Sequence, residues 1–258
     1  MKALLLKVAD LFSVLWRLVP EGLRRNLFTG MLVLESRGSD SAAALKRLIK
    51  IKDRLDWILN ERALAYGKGE HPKHKLTQYH RFFTDHIADG QNVLDVGCGY
   101  GAVARTVATA LPKSRVAGIE LDKIRLEQAQ SAKNPKNLTF VEGDATQAVP
   151  QGSWDIIILS NILEHINDRV GFLKRLQATT QAGRFLIRVP LFERDWQMPL
   201  RKELGINYFS DNDHKIEHTL AEFEQEMSNC DLQIAEIRTL WGEIWADCRI
   251  KKEEAVKK

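Results

Sequence analysis

Val93-Leu94-Asp95-Val96-Gly97-Cys98-Gly99-Tyr100-Gly101 is the stretch that decides how the rest of the chain is read. An apolar run that ends in three alternate glycines reads as a buried strand turning sharply into a helix. Glycines there let backbone approach a ligand at the positive end of that helix. The spacing is G-x-G-x-G, not the G-x-G-x-x-G of dinucleotide-binding turns. Asp95 stands two residues before the first glycine, where a carboxylate can organise an ammonium group and would repel a pyrophosphate.

Downstream, strand patterns at 92–96, 115–120, 138–141, 155–160 and 184–189 alternate with helical patterns at 101–111, 122–133 and 169–180. Val-, Ile- and Leu-rich strands separated by helices imply a mostly parallel sheet covered on both faces. Thr219-Leu220-Ala221-Glu222 has capping-box spacing and starts a late helix. Segments 232–240 and 243–250, on either side of Trp241-Gly242, read as a terminal antiparallel hairpin. Upstream, Thr77 is expected to cap a short helix over 78–87.

Ligands of such sheets bind beyond the carboxyl ends of the strands. Glu120 ends the second strand and could accept both hydroxyls of a ribose. Asp144, in Val141-Glu142-Gly143-Asp144-Ala145, could accept from the exocyclic amine of a base. The fourth strand runs into Ser160-Asn161-Ile162-Leu163-Glu164-His165. One acid in such a place is commonly a helix cap or turn residue. Three, at the ends of three consecutive strands beside a glycine loop, are much less easily explained that way.

With these motifs in this order, residues from about His71 to Cys248 resemble a class I S-adenosylmethionine-dependent methyltransferase of the group with L-E-H after strand 4. The resemblance implies an α/β Rossmann-like fold with seven strands, mostly parallel, the last one antiparallel. It also implies S-adenosylmethionine as cofactor. Gly97 and Gly99 would pass under its methionine part, with Asp95 organising the amino group. Glu120 would hold the ribose, Asp144 with Ala145 the adenine, and Ser160 would border the sulfonium.

An oxygen acceptor would need a base, and His165, just past strand 4, is the first candidate. His214 and His218, with Asp211 and Asp213, are expected to line the substrate mouth between strands 5 and 6. His214-Lys215-Ile216-Glu217-His218 also matches the inverted zinc-peptidase pattern. Thr219 as the cap leaves both histidines ahead of the helix, so no metal is expected. Arg188 and Arg194 could recognise an anionic group or pair with local acids.

Across 258 residues, 44% hydrophobic and 28% charged composition excludes disordered, collagen-like and polytopic membrane classes. Cys98, Cys230 and Cys248 are scattered, which fits a reducing, cytoplasmic setting. The net charge of +4 conceals an asymmetry: residues 1–75 hold 15 Lys/Arg and 8 Asp/Glu, the remainder 23 and 26. Residues 1–70 are expected to form a helical extension, with helices at 22–34 and 41–66, ahead of a cofactor domain at 71–258. Segment 1–19 reads as a helix with a broad apolar face. Packing on its own chain or a second copy is expected first, peripheral membrane contact second.

The partner expected from the whole is a small-molecule, lipid-linked or glycan-linked substrate. Nucleic acid is disfavoured, because Ser160-Asn161-Ile162-Leu163 lacks the Asn/Asp-Pro-Pro-aromatic tetrapeptide. The alternative is a non-catalytic cofactor-binding adaptor that docks a partner through its N-terminal helices. A nicotinamide oxidoreductase fails on glycine spacing and on the absence of Tyr-x-x-x-Lys.

Overall fold

The computed structural model describes residues 2–69 and 71–251, with side chains from residue 8 onward. The chain divides into two compact units, Met1–His71 and Pro72–Lys258.

In the first unit, helices α1 (Lys2–Arg17), α2 (Glu21–Glu35) and α3 (Ser41–Tyr66) follow one another. Asp40 starts α3 by accepting from the Ala43 N–H at 3.0 Å. Arg47 on α3 donates to the carbonyls of Glu35 and Arg37, satisfying the open end of α2. Trp16 meets Phe28 edge-on, 5.9 Å between centroids. Among the described side chains, from residue 8 onward, the expected burial of segment 1–19 on its own chain is not met. Leu11 is 72% exposed and Leu18 78%, and Leu34 on α2 is 75%. Amphipathicity fixes which residues share a face, not what covers it. The side chains of Leu4 and Leu5, part of the same expected stripe, lie outside the described residues. Among the described residues no helix is long and apolar enough to cross a membrane.

The second unit begins with α4 (Lys73–Thr77) and α5 (Tyr79–His86). Thr77 does not cap α5: its hydroxyl donates back to the Lys73 carbonyl, and Gln78, at φ 49°, makes the turn between the helices. The chain then runs β1 (Asn92–Val96), α6 (Ala102–Ala110), β2 (Arg115–Glu120), α7 (Lys123–Ser131), β3 (Leu138–Glu142) and β4 (Ile156–Ser160). A 3₁₀ turn (Leu163–His165) leads to α8 (Arg169–Thr180), β5 (Arg184–Pro190), a 3₁₀ turn (Phe192–Arg194) and α9 (Gln197–Glu203). Helix α10 (Leu220–Asn229), β6 (Leu232–Leu240) and β7 (Glu243–Ile250) close the unit.

The seven strands form one sheet in the order β3-β2-β1-β4-β5-β7-β6. The first five pair in parallel, and β7 pairs antiparallel with both β5 and β6. Alternation along β4 shows why both faces are apolar. Ile156 and Ile158 join Phe82, Phe83, Val103 and Val107 from α5 and α6. Ile157 and Leu159 join Phe172, Leu173, Leu176 and Phe223 from α8 and α10. Each fully buried side chain of this size contributes about 1.5–3 kcal/mol, so the sheet centre is the rigid part of the unit. Strand order reverses between β1 and β4, which opens a crevice at their carboxyl ends.

Candidate functional site

The glycine loop forms the floor of that crevice. Gly97 and Gly99 sit at φ 64° and 55°, a left-handed conformation that side chains resist. A Cβ on Gly97 would lie 2.1 Å from Ile162 Cδ1, so β1 and the segment after β4 touch only because the side chain is absent. A Cβ on Gly99 would meet nothing within 4 Å. That open side is where a ligand can lie on backbone.

The acids predicted from the strand ends surround this loop. Glu120 is buried, and its two carboxylate oxygens accept from Gly99 N at 2.7 Å and Asp122 N at 2.8 Å. One end of the ligand floor is thereby tied to the end of β2, with lone pairs still free on both oxygens. Asp95 is buried at the end of β1 and accepts from Ala104 N, in the first turn of α6, at 3.1 Å. Burial, reinforced by the charge of Glu120, pushes its carboxyl up to about 7. Asp144 follows β3; one oxygen accepts from the Thr146 N–H and hydroxyl at 2.9 and 2.7 Å. Gly143 N donates to Glu120 O, so the β3 turn carrying Asp144 and Ala145 is tied to the end of β2.

Ser160 ends β4, and its hydroxyl accepts from Arg188 at 3.1 Å. Arg188 is not a free anion receptor. It forks onto Glu243 at 2.5 and 2.7 Å and lies 3.9 Å over the Tyr79 ring. Arg194 is likewise held, by Glu217 and by the carbonyls of Leu191 and Tyr208.

The histidines separate into two groups. His165, on the 3₁₀ turn after β4, and His214 stand edge to face with ring centroids 4.7 Å apart. Asp213 Oδ2 lies 3.0 Å from His165 Nδ1, at an angle outside hydrogen-bonding geometry. Burial holds the His165 imidazolium below its ordinary pKa, against the pull of Asp213. His214 Nδ1 is 2.9 Å from Glu217, a fully buried acid that also accepts from Ser210 N and Oγ. Lys215 N donates to Glu164 O at 2.7 Å, clipping this loop to the 3₁₀ turn.

His218 is not at the mouth. Its ring is wholly buried, 3.2 Å from Glu226 and edge-on to Phe223, and Glu226 also takes Arg169 at 2.6 Å. The pair ties the segment before α10 to α8, so His218 is an anchor of the core. His214 and His218 face different carboxylates, and the Thr219–Glu222 capping box starts α10 after both. The inverted zinc-peptidase reading therefore fails.

Two residues escaped the sequence reading. Asn161 takes φ 59° at the end of β4 and keeps a buried Oδ1 without a hydrogen-bond partner. Asn is one of the few side chains that tolerate this conformation, and that was the available signal. Glu164 is fully buried with both oxygens unpartnered, and burial pushes its carboxyl up to about 8. A lone acid between Leu163 and His165 gave no hint that it points inward.

Comparison with known proteins bears on this arrangement. Residues 93–183 match a family model described as a methyltransferase domain. The chain is 32% identical over 141 residues to the ribosomal protein L11 methyltransferase of Thermotoga maritima, covering 54% of this chain and 51% of that one. It thus spans about half the length of the curated relatives it matches. Among solved structures, it resembles magnesium protoporphyrin IX methyltransferase from Synechocystis PCC 6803 with bound SAH. There the TM-score is 0.53 and identity 17%, over 69% of this chain and 83% of that one. A SAM dependent methyltransferase from Aquifex aeolicus gives a TM-score of 0.54 at 14% identity, over 70% and 94%. These likenesses fix the fold.

Proposed function

We propose that this chain, whose residues 93–183 match a methyltransferase domain on a class I methyltransferase sheet, moves a methyl group from S-adenosylmethionine to an oxygen acceptor on a small, lipid-linked or glycan-linked molecule. The observation that carries the reading is the clasp between Glu120 and Gly99 N at the strand-order reversal, beside open backbone. It joins a ribose-accepting acid to the open side of Gly99.

Bound S-adenosylmethionine supplies a methyl group made electrophilic by its sulfonium. The chain's own residues do the rest. Glu120 accepts from the ribose hydroxyls through its remaining lone pairs, and Asp144 with Ala145 meets the adenine. Asp95 faces the amino group, Gly97 and Gly99 run beneath the methionine part, and Ser160 borders the sulfonium. Alignment of this kind is worth up to about 7–11 kcal/mol. His165 stands past β4, and burial favours its neutral, proton-accepting form. A base there adds about 10²–10⁴-fold for an oxygen nucleophile.

The test is transfer of labelled methyl from S-adenosylmethionine to a cell extract, with the product identified by mass spectrometry. Label on a small molecule, lipid or glycan supports the reading. Label on protein would replace the acceptor class while keeping the activity. The second reading, a cofactor-binding adaptor, is favoured by the exposed apolar faces of α1 and α2. It would be taken up if S-adenosylhomocysteine binds tightly and no label moves. Tighter binding of NAD than of S-adenosylhomocysteine would remove both.

A further inference from the structure

We propose that Glu164, His165 and His214, with Asp213 as a fourth ligand, bind one divalent transition-metal ion beside the carboxyl end of β4. The first observation is Glu164: its side chain is entirely buried, and neither carboxylate oxygen has a hydrogen-bond partner. Buried carboxylates in proteins are ordinarily paired, hydrogen-bonded or coordinated to a metal.

The second observation is convergence. One ligand atom from each of Glu164, His165 and His214 lies within 4.8 Å of the others, and the same holds for Asp211, Asp213 and His214. Ligand atoms at about 2.0–2.2 Å from a shared tetrahedral ion lie roughly 3.3–3.6 Å apart, so side-chain shifts of about 1 Å close the set. His214 belongs to both groups, which brings Asp213 alongside the first three.

The third observation is the support behind the ligands. The buried Glu217 engages His214 Nδ1, leaving Nε2 to ligate, and Glu217 is itself fixed by Ser210 and Arg194. A carboxylate behind a histidine is the usual way a metal-binding imidazole is oriented. His165 Nδ1 is buried without a hydrogen bond, with Asp213 Oδ2 3.0 Å away. The clip from Lys215 N to Glu164 O holds the two halves of the site at fixed separation.

Two imidazoles with two carboxylates suit zinc, iron, cobalt or manganese rather than calcium or magnesium, which prefer all-oxygen sites. Two anionic ligands balance a dication. At the carboxyl end of β4, such an ion would take an acceptor hydroxyl as a further ligand and lower its pKa. His165 would then act as ligand, and the acidity of the acceptor would come from the ion. The binding claim stands apart from methyl transfer, because its readout needs neither cofactor nor acceptor.

The experiment uses the untagged full chain, stripped with a chelator and titrated with Zn²⁺ by calorimetry. Co²⁺ serves as an absorption probe. One equivalent of Zn²⁺ is expected, with visible Co²⁺ bands and a raised unfolding midpoint. His214→Ala and Glu164→Gln should each weaken Zn²⁺ by more than about 100-fold, and Asp213→Asn by about 10-fold. Glu164→Gln keeps the side-chain shape and leaves the buried position uncharged, so it folds. Asp213 is exposed, so its variant folds too. His71→Ala, outside the cluster, should leave binding unchanged. Failure of the wild-type chain to take up one equivalent would overturn the proposal. So would uptake indifferent to Glu164→Gln and Asp213→Asn.

Discussion

Asp95 and Glu120 compete for the same low-dielectric corner, and that competition sets how binding should respond to pH. The Asp95 carboxyl is held up to about 7 by burial and by the Glu120 charge. In the ligand-free protein, stability from this group is full below about pH 4 and is lost as pH rises through 7. An ammonium group bound against Asp95 favours the ionised form instead. S-adenosylhomocysteine affinity is therefore expected to fall by up to about 10-fold per pH unit from pH 7 down to 5, and to be flat above 7. Calorimetry in buffers of different ionisation heat should find a proton released on binding below pH 7. Asp95→Asn should abolish both effects, and an unchanged pH profile in that variant would remove Asp95 from the amino-group role. Glu120→Ala should weaken the same ligand by about 1–3 kcal/mol. It also frees Gly99 N, so part of that loss belongs to the floor, and Glu120→Gln separates the two parts. Unchanged affinity in folded Glu120→Ala would reject the ribose role.

At the scale of elements, β1, β2, α3, α8 and the β6–β7 hairpin lie where the sequence reading put them. Their ends are marked by local chemistry: Asp40 and Asp168 cap α3 and α8, and Trp241-Gly242 makes the hairpin turn. Thr77 misled because a hydroxyl at a helix end serves a preceding turn as readily as a following one. The carboxylates of the cofactor site were legible because strand ends fix their level in the sheet. The histidines were not, since a loop position carries no periodicity to say which way a ring turns. His218 is the clearest case, a polar residue one position before a helix cap that turns into the core. Its burial predicts that His218→Ala costs about 2–4 kcal/mol of stability, from the lost packing and the broken contact with Glu226. Chemical denaturation measures that cost, and cofactor affinity in the folded fraction should not move. A stable variant that lost turnover would return His218 to the substrate mouth. His165→Ala should do the reverse, lowering turnover by about 10²–10⁴-fold with cofactor affinity intact.

For the molecule as a whole, the division at residues 71 and 72 separates two kinds of surface. The unit from Pro72 has its own apolar layers on both faces of the sheet and contains every residue assigned to the cofactor. The unit before it exposes apolar side chains, Leu11 and Leu15 on α1, Leu18 just past its end, and Leu27, Met31 and Leu34 on α2. Apolar faces of this kind are rarely left bare on monomers. The periodicity of the stripe is legible in the residue order, whereas its cover depends on a surface that the stripe does not encode. Residues 72–258 produced alone are therefore expected to fold, stay monomeric and bind S-adenosylhomocysteine as the full chain does. The full chain is expected to associate, either with itself or with vesicles of anionic lipid. Salt tells these apart: ions screen Arg17, Arg24 and Arg25 from lipid phosphates and weaken vesicle binding, whereas apolar contact between copies persists. Analytical ultracentrifugation and vesicle sedimentation of both forms make the measurement. A full chain that is monomeric and absent from the vesicle pellet would show that the face needs no cover. A shortened chain that fails to bind the ligand would show that the first unit completes the second.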